Sequence, residues 1–266
     1  METKRKPALM EHFIVTDLGS GIINITAPPL RFQQYLVLGE KSALLIDTGF
    51  GVGSLKEITD TLTQLPIILV NTHGHPDHSG GNAEYGRPYL HPADNEVYAV
   101  KCSYEARLDE AQGWGLKDAA ERLQPTPPEP LALPEDYVFD LGGRTLRVIH
   151  TPGHTRGSIC LLDDMTGILF SGDTVQGTPA ALLGTYAATI SEYVETLEKL
   201  RQYPIRAICP GHRESMLSSD LIEKKIKCAQ YILNGGKTEQ KMSREGLAYT
   251  AAVDGASIEF SPDKLG

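Results

Sequence analysis

Three of the chain's eight histidines fall within six residues, in the run His73-Gly74-His75-Pro76-Asp77-His78. Imidazoles and carboxylates are the side chains that ligate divalent transition metals. Residues two apart in an extended or tightly turned segment can aim at a common point. His73 and His75 are therefore placed to share one ion. Asp77 and His78, one turn further on, are placed for a second ion beside it. Ser79-Gly80-Gly81-Asn82 follows and lets the backbone turn sharply into a helix. A lone histidine here would read as an ordinary polar turn residue; four candidate ligands in six positions argue for a metal site. Three further candidates stand on separate loops: His154 in Pro152-Gly153-His154-Thr155, Asp173 in Ser171-Gly172-Asp173-Thr174, and His212 in Pro210-Gly211-His212. Each alone is weak, because Gly-His is a common turn and Gly-Asp a common cap. Together they repeat one placement, the ends of predicted strands, where functional groups gather in layered α/β folds.

The elements that must position these residues follow from the apolar pattern. Tyr35 to Leu38 and Ala43 to Ile46 flank the turn Gly39-Glu40-Lys41-Ser42 and read as a hairpin. Val52 to Leu65 has helical spacing (Leu55, Ile58, Leu62, Leu65) and stops at Pro66. Ile67 to Val70 reads as a buried strand that runs straight into Asn71-Thr72-His73. The rhythm returns with strands at Thr145 to Ile149, Ser158 to Leu162, Ile168 to Phe170 and Ile205 to Cys209, and with a helix carrying Tyr193, Leu197 and Leu200 on one face. Leu221 to Leu233 reads as a closing helix. Two similar halves without a linker predict two sheets packed together with helices outside. Between them, residues 94–134 form a helical and proline-rich lid insertion, its five prolines read as a rigid spacer. Residues 246–260 read as a C-terminal β segment, open to completing a sheet, pairing with a second copy in a homodimer, or shaping the pocket.

The ligand run together with His154, Asp173 and His212 resembles the seven-ligand signature of the metallo-β-lactamase superfamily, and Asp47-Thr48-Gly49 resembles that family's aspartate after an early strand. The resemblance spans roughly residues 12 to 215 and is specific for fold and metal site but not for substrate. It implies an α/β fold, a four-layer αββα sandwich of two mixed β-sheets flanked by helices, in a single domain over 1–266. It implies that His73, His75 and His154 hold one metal, that Asp77, His78 and His212 hold the second, and that Asp173 bridges them. Asp47 would stand behind the ligands and orient histidines. The ligand types suit two zinc ions, with iron or manganese also accepted. Such a pair holds a hydroxide between its ions, which attacks a carbonyl carbon or phosphorus with no side-chain nucleophile.

Departures from the pattern narrow the substrate. Enzymes that destroy β-lactams carry cysteine or serine where Asp173 stands. Glyoxalase II-like and persulfide-dioxygenase-like members carry Gly-Cys-Gly-Arg after the bridging aspartate, whereas this chain has Thr174-Val175-Gln176-Gly177-Thr178-Pro179. The expectation is a binuclear hydrolase of a small-molecule ester, lactone, thioester or phosphodiester. The alternatives are a mononuclear iron oxidoreductase and a ribonuclease on the same fold. Besides the ligand Asp77, Tyr186 is the candidate catalytic side chain, as a substrate-facing hydroxyl of the lactonase-like kind; Tyr193 fits the apolar face of a helix and reads as core. Trp114, with Tyr98 and Tyr104 near it, reads either as an aromatic wall over the pocket or as a small core under the lid. Arg156 and Arg213, each within two residues of a ligand histidine, are candidates to hold an anionic substrate group.

Composition bounds the partners. A formal net charge of −9 argues against a broad nucleic-acid surface. No apolar run is long enough to cross a bilayer, and the basic start lacks the apolar stretch of a secretory signal. The four cysteines have no paired spacing and read as reduced buried thiols. A cytoplasmic enzyme without a membrane partner is the expectation.

Overall fold

The structure, a computed structural model, describes residues 13–27, 31–113 and 119–266. Seven strands in chain order form the first sheet: β1 (Ile14–Gly19), β2 (Ile22–Ala27), β3 (Phe32–Leu38), β4 (Ala43–Ile46), β5 (Ile67–Val70), β6 (Tyr89–Leu90) and β7 (Leu131–Ala132). The first four pair antiparallel and the rest parallel, so the sheet is mixed. The second sheet is built from β8 (Val138–Asp140), β9 (Thr145–His150), β10 (Ile159–Asp163), β11 (Ile168–Gly172), β13 (Ala207–Pro210) and β14 (Leu217–Ser218), in the order β14-β13-β11-β10-β9-β8.

Alternation along the strands explains the layering. On β4, Leu44 and Ile46 point one way and Ala43 and Leu45 the other. Leu44 and Ile46 join Tyr35, Val37 and Val70 against Leu146, Val148, Leu161 and Phe170 of the second sheet, which makes the core between the sheets. Ala43 and Leu45 meet Leu55 and Ile58 of helix α1 (Leu55–Leu62) on the outer face. Beyond the second sheet, Cys160, Leu162 and Leu169 pack against α6 (Ile190–Leu200) and α7 (Leu221–Leu233). Helix, sheet, sheet, helix is the four-layer order expected from the sequence. Both outer helices begin as their sequences dictate. Ser54 accepts from the Glu57 N–H at 3.2 Å, and Thr189 with Glu192 forms a reciprocal capping box.

Helix α1 is shorter than its apolar spacing predicts. Val52 is drawn into a bridge with Leu123, Gly53 N–H donates to the Arg122 carbonyl, and helix begins only at Leu55. The C-terminal segment builds a third sheet, in the order β12-β17-β16-β15, from β12 (Ala180–Leu182), β15 (Glu239–Ser243), β16 (Gly246–Val253) and β17 (Ala256–Phe260). β12 pairs parallel with β17, so this chain completes the sheet itself. The strand β15 was not legible, because Glu-Gln-Lys-Met-Ser has no apolar alternation. All four cysteines are free and buried. No helix among the described residues is long and apolar enough to cross a membrane.

The insertion holds α3 (Asn95–Lys101), α4 (Tyr104–Gly113) and α5 (Ala119–Arg122), after a short α2 (Pro76–Ser79) in the ligand run. Trp114 lies outside the described residues. The Tyr98 and Tyr104 hydroxyls donate to the Pro128 and Ala120 carbonyls within the insertion, and the Tyr98 hydroxyl also accepts from Asn82 Nδ2 at 3.2 Å. What ties the insertion to the site is Arg107 of α4, whose guanidinium is wholly buried and meets only carbonyls. It donates to Cys102 O at 3.1 Å, Gly80 O at 2.9 Å, Gln124 O and Pro125 O at 2.7 Å each, and Phe50 O at 3.4 Å. Replacing Arg107 with Met strands these acceptors in an apolar environment and should cost about 3 kcal/mol or more. A urea-unfolding midpoint shift measures this, and Arg107→Lys should recover only a minor part, since an ammonium cannot span the five carbonyls.

Candidate metal centre

Each predicted ligand stands where a strand of one of the two large sheets ends and the chain turns. β5 ends at Val70 and delivers His73 and His75; α2 carries Asp77 and His78; β9, β11 and β13 deliver His154, Asp173 and His212. The loops are held close by small residues. A Cβ at Gly211 would lie 2.6 Å from both Asp173 Oδ1 and His78 Cε1, so only glycine fits before His212.

The seven side chains converge. Ligand-type atoms of His73, His75 and His154 lie together, as do those of His73, Asp77 and His78, and of His78, Asp173 and His212, each group within 4.8 Å. Asp173 spans the groups: Oδ1 is 3.3 Å from His78 Nε2, and Oδ2 is 3.2 Å from His212 Nε2 and 3.7 Å from His154 Nε2. Asp77 Oδ2 is 3.3 Å from His212 Nε2. The far nitrogens fix the tautomers. His154 Nδ1 donates to the Ala181 carbonyl at 2.7 Å, and His78 Nδ1 donates to Asp47 Oδ2 at 2.8 Å. The remaining lone pairs then face one another, His75 Nδ1 toward His154 Nε2 at 2.9 Å and His78 Nε2 toward His212 Nε2 at 3.3 Å. His73 Nε2 and Asp173 Oδ1 are buried without any hydrogen-bond partner. Converging lone pairs and orphaned acceptors are what a cation would satisfy, and the donor set fits two divalent ions.

The charges divide the cluster. Burial, reinforced by the neighbouring imidazoles, pushes His75 down to about 3 and His73 well below the usual range, so this end stays neutral. At His78 burial opposes the proton, but the Asp77, Asp47 and Asp173 carboxylates outweigh it and raise the group well. His212 is likewise pushed up to about 9 against its burial, chiefly by Asp173.

Two aspartates outside the ligand set hold the loops. Asp47, at φ +63°, accepts from the Thr72 N–H and hydroxyl at 2.8 Å each as well as from His78. Asp94 was missed by the sequence reading, which used it only to mark the start of the insertion. It is buried, and it accepts from Gly74 N–H, Gly157 N–H and the Thr155 hydroxyl, all at 2.7 Å. One carboxylate thus joins the loop of His73 and His75 to the loop of His154. A single aspartate before a helix reads as a cap, so no sequence signal marked it. Tyr193 is core, and its hydroxyl donates to the Thr174 carbonyl at 2.6 Å, which steadies Asp173. Tyr186 is half-buried between β12 and α6, and its carbonyl accepts from Arg156 N–H at 2.9 Å. Its hydroxyl has no hydrogen-bond partner among the described residues. Arg156 is paired with Glu192 at 3.3 Å.

A fourth group, His91, Glu135 and His150, lies apart from this centre. Its two imidazoles stack face to face, 4.0 Å apart and 10° from parallel, so their in-plane lone pairs run side by side and do not converge on one ion.

The model of the metallo-beta-lactamase superfamily matches residues 33–212, which is most of the chain and contains all seven candidate ligands. The chain belongs to this superfamily. It is 34% identical over 236 residues to the human acyl-coenzyme A thioesterase MBLAC2, covering 76% of this chain and 82% of the relative. It is 26% identical to the atrochrysone carboxyl ACP thioesterase of Emericella nidulans, covering 85% of this chain and 68% of that one. Among solved structures it is similar to TTHA1623 in a di-iron-bound form, at a TM-score of 0.55 and 26% identity, over 76% of this chain and 97% of that one. The chain is a hydrolase of the superfamily.

Metal binding should be pH-dependent with a defined sign. In the metal-free protein His212 carries a proton below about 9, and a ligand must lose it. Apparent affinity for the more weakly held ion should therefore fall as pH falls from 8 to 6, by roughly tenfold per pH unit for each proton displaced. Competition against a chelating indicator at three pH values checks this. Asp94→Asn should lower metal affinity by roughly 10- to 100-fold while leaving the far-ultraviolet circular dichroism unchanged.

Proposed function

We propose that the chain hydrolyses acyl thioesters at a two-metal centre formed by His73, His75 and His154 on one side, by Asp77, His78 and His212 on the other, and by Asp173 between them. The observation that carries this reading is the convergence of seven donor side chains on one buried volume, with His73 Nε2 and Asp173 Oδ1 left without a hydrogen-bond partner there. The choice of thioester, among ester, lactone, thioester and phosphodiester, is supported by the thioesterase relatives. Zinc suits imidazole and carboxylate ligands, and the di-iron form of TTHA1623 supports iron as the other candidate. When bound, two such ions supply an activated water and a Lewis acid for the carbonyl oxygen of the thioester.

The protein's own part is to keep the donors in place and correctly turned. Asp47 and the Ala181 carbonyl hold His78 and His154 with Nε2 free, so neither ring has to reorient when an ion arrives. Asp77 and Asp173 supply the negative charge that offsets a dicationic pair. Tyr186 is offered as a hydroxyl for the substrate: it is half-buried, its phenol is uncommitted, and its loop is bonded to that of His154.

The test begins with metal content and turnover of the purified protein. Plasma mass spectrometry should find about two ions per chain, and release of free thiol from an acyl-CoA should be catalytic. Asp77→Ala and His78→Ala should each lower kcat by roughly 100-fold or more while the protein stays folded. Tyr186→Phe should cost roughly 3- to 10-fold in kcat/KM, the scale of one hydrogen bond. Wild-type rates in the Asp77 and His78 variants would sink the two-metal reading. One iron per chain with thiol-dependent oxygen uptake would replace it with an oxidoreductase.

A further inference from the structure

Beside the last candidate ligand, two arginines are backbone neighbours across a bridge. Phe32 and His212 form an antiparallel bridge, and the Phe32 ring meets the His212 imidazole edge-on, 5.4 Å between centroids. The next residues outward on the two strands are Arg31 and Arg213, and the Arg213 N–H donates to the Arg31 carbonyl at 2.9 Å. Both residues are exposed, and both hold left-handed backbone, with φ +58° and +65°, which side chains other than glycine seldom adopt.

Like charges placed directly opposite each other repel. Elsewhere in the chain five arginines have that charge neutralised: Arg144, Arg147, Arg156, Arg201 and Arg244 each pair with a carboxylate. With 34 acidic residues against 25 basic ones, a partner is easily supplied. Among the described residues, neither Arg31 nor Arg213 has a carboxylate within 4.0 Å. The backbone under them is nevertheless held by buried polar bonds. Gln33, 2% exposed, donates through Nε2 to the Arg213 carbonyl at 2.8 Å and to the Arg31 carbonyl at 3.4 Å. Its Oε1 accepts in turn from Asn24 Nδ2 at 2.8 Å and from the Thr26 hydroxyl at 2.7 Å. Tyr35, buried below, donates to the Pro210 carbonyl at 2.8 Å. A buried network thus fixes the backbone of two exposed arginines beside the last candidate ligand, and an anion that binds both would supply the negative charge that no carboxylate supplies there.

We propose that Arg31 and Arg213 form a fork for the phosphate of a phosphopantetheine-type thiol carrier, the half of the thioester that leaves. The proposal rests on the thioester reading above. A guanidinium is planar, permanently charged and matched to phosphate oxygens, and two of them on one phosphate lose their mutual repulsion. Their place on the rim, outside the ligand set, lets them select the carrier without touching the scissile carbonyl. Free coenzyme A and a carrier protein both present this group.

The test compares the metal-loaded enzyme with its Arg31→Gln, Arg213→Gln and double variants on three substrates with one acyl group. These are the CoA thioester, the carrier-protein thioester, and the N-acetylcysteamine thioester, which has no phosphate. The readout is the ratio of kcat/KM for the CoA thioester to that for the N-acetylcysteamine thioester. Each substitution should lower it by roughly 10-fold, through KM and not kcat, the scale of one charge-assisted bond. Arg206→Gln, an exposed arginine at the opposite end of β13 from His212, should leave it unchanged. The same loss with the carrier-protein thioester places the shared pantetheine phosphate on the fork; a loss with CoA alone places the free cofactor's phosphate there. An unchanged ratio, or equal losses on all three substrates, overturns the fork. Calorimetric titration of coenzyme A into the holoenzyme separates the two readings. If no thioester is turned over but the double variant loses coenzyme A binding, the fork stands and the thioesterase reading falls.

Discussion

Seven side chains with metal-ligand atoms point into one small volume, and the surrounding protein compensates them only in part, leaving His73 Nε2 and Asp173 Oδ1 buried without a partner. Burying such groups without partners costs several kcal/mol, so the arrangement requires both a rigid frame and a cation. The frame is visible in the ties behind two of the histidines and beneath their loops. His78 is held by Asp47, His154 by the Ala181 carbonyl, and the loops of His73, His75 and His154 by the three hydrogen bonds of Asp94. Two sheets packed face to face supply the ends from which these loops depart, and their core of Leu44, Ile46, Val148 and Phe170 fixes the separation of the loops.

The same economy of buried polar contacts extends away from the centre. Arg107 closes the carbonyls at the end of the ligand run and anchors the insertion with them. Gln33 and Tyr35 hold the turn that delivers His212. The third sheet reaches back toward the insertion through its hairpin tip, where Arg244 meets Glu110 at 3.1 Å and Glu245 lies 3.5 Å from Lys101. Glu110 is pushed up to about 7 by burial and by the charge of Asp77, so this contact stands within the electrostatic reach of the centre. The insertion and the C-terminal hairpin are thereby linked at the site, although 134 residues separate Arg244 from Glu110.

The ligand set could be read from the chain because its signal is local. Four ligands lie within six residues, and the other three each follow a glycine at the end of an apolar strand. Asp94, Arg107 and Gln33 could not, because each ties segments far apart in the chain: Asp94 reaches Gly157 63 residues on, Arg107 reaches Phe50 57 residues back, and Gln33 reaches Arg213 180 residues on. In sequence they are a helix cap, a charged helix face and a polar strand residue. The strand β15 was hidden for a related reason: its residues are held by pairing with β16 and show no apolar pattern of their own.

What the sequence by itself determined was the main strands and helices of the two halves, their packing as two sheets with helices outside, and seven candidate donors, since period-two and helical apolar spacing and short-range motif chemistry are written in neighbouring residues. Only the tertiary structure decided which donors share a volume, which ring nitrogens face inward, and where the C-terminal strands go. Those outcomes depend on hydrogen bonds and packing between segments far apart in the chain, and no local pattern encodes the distance between two loops.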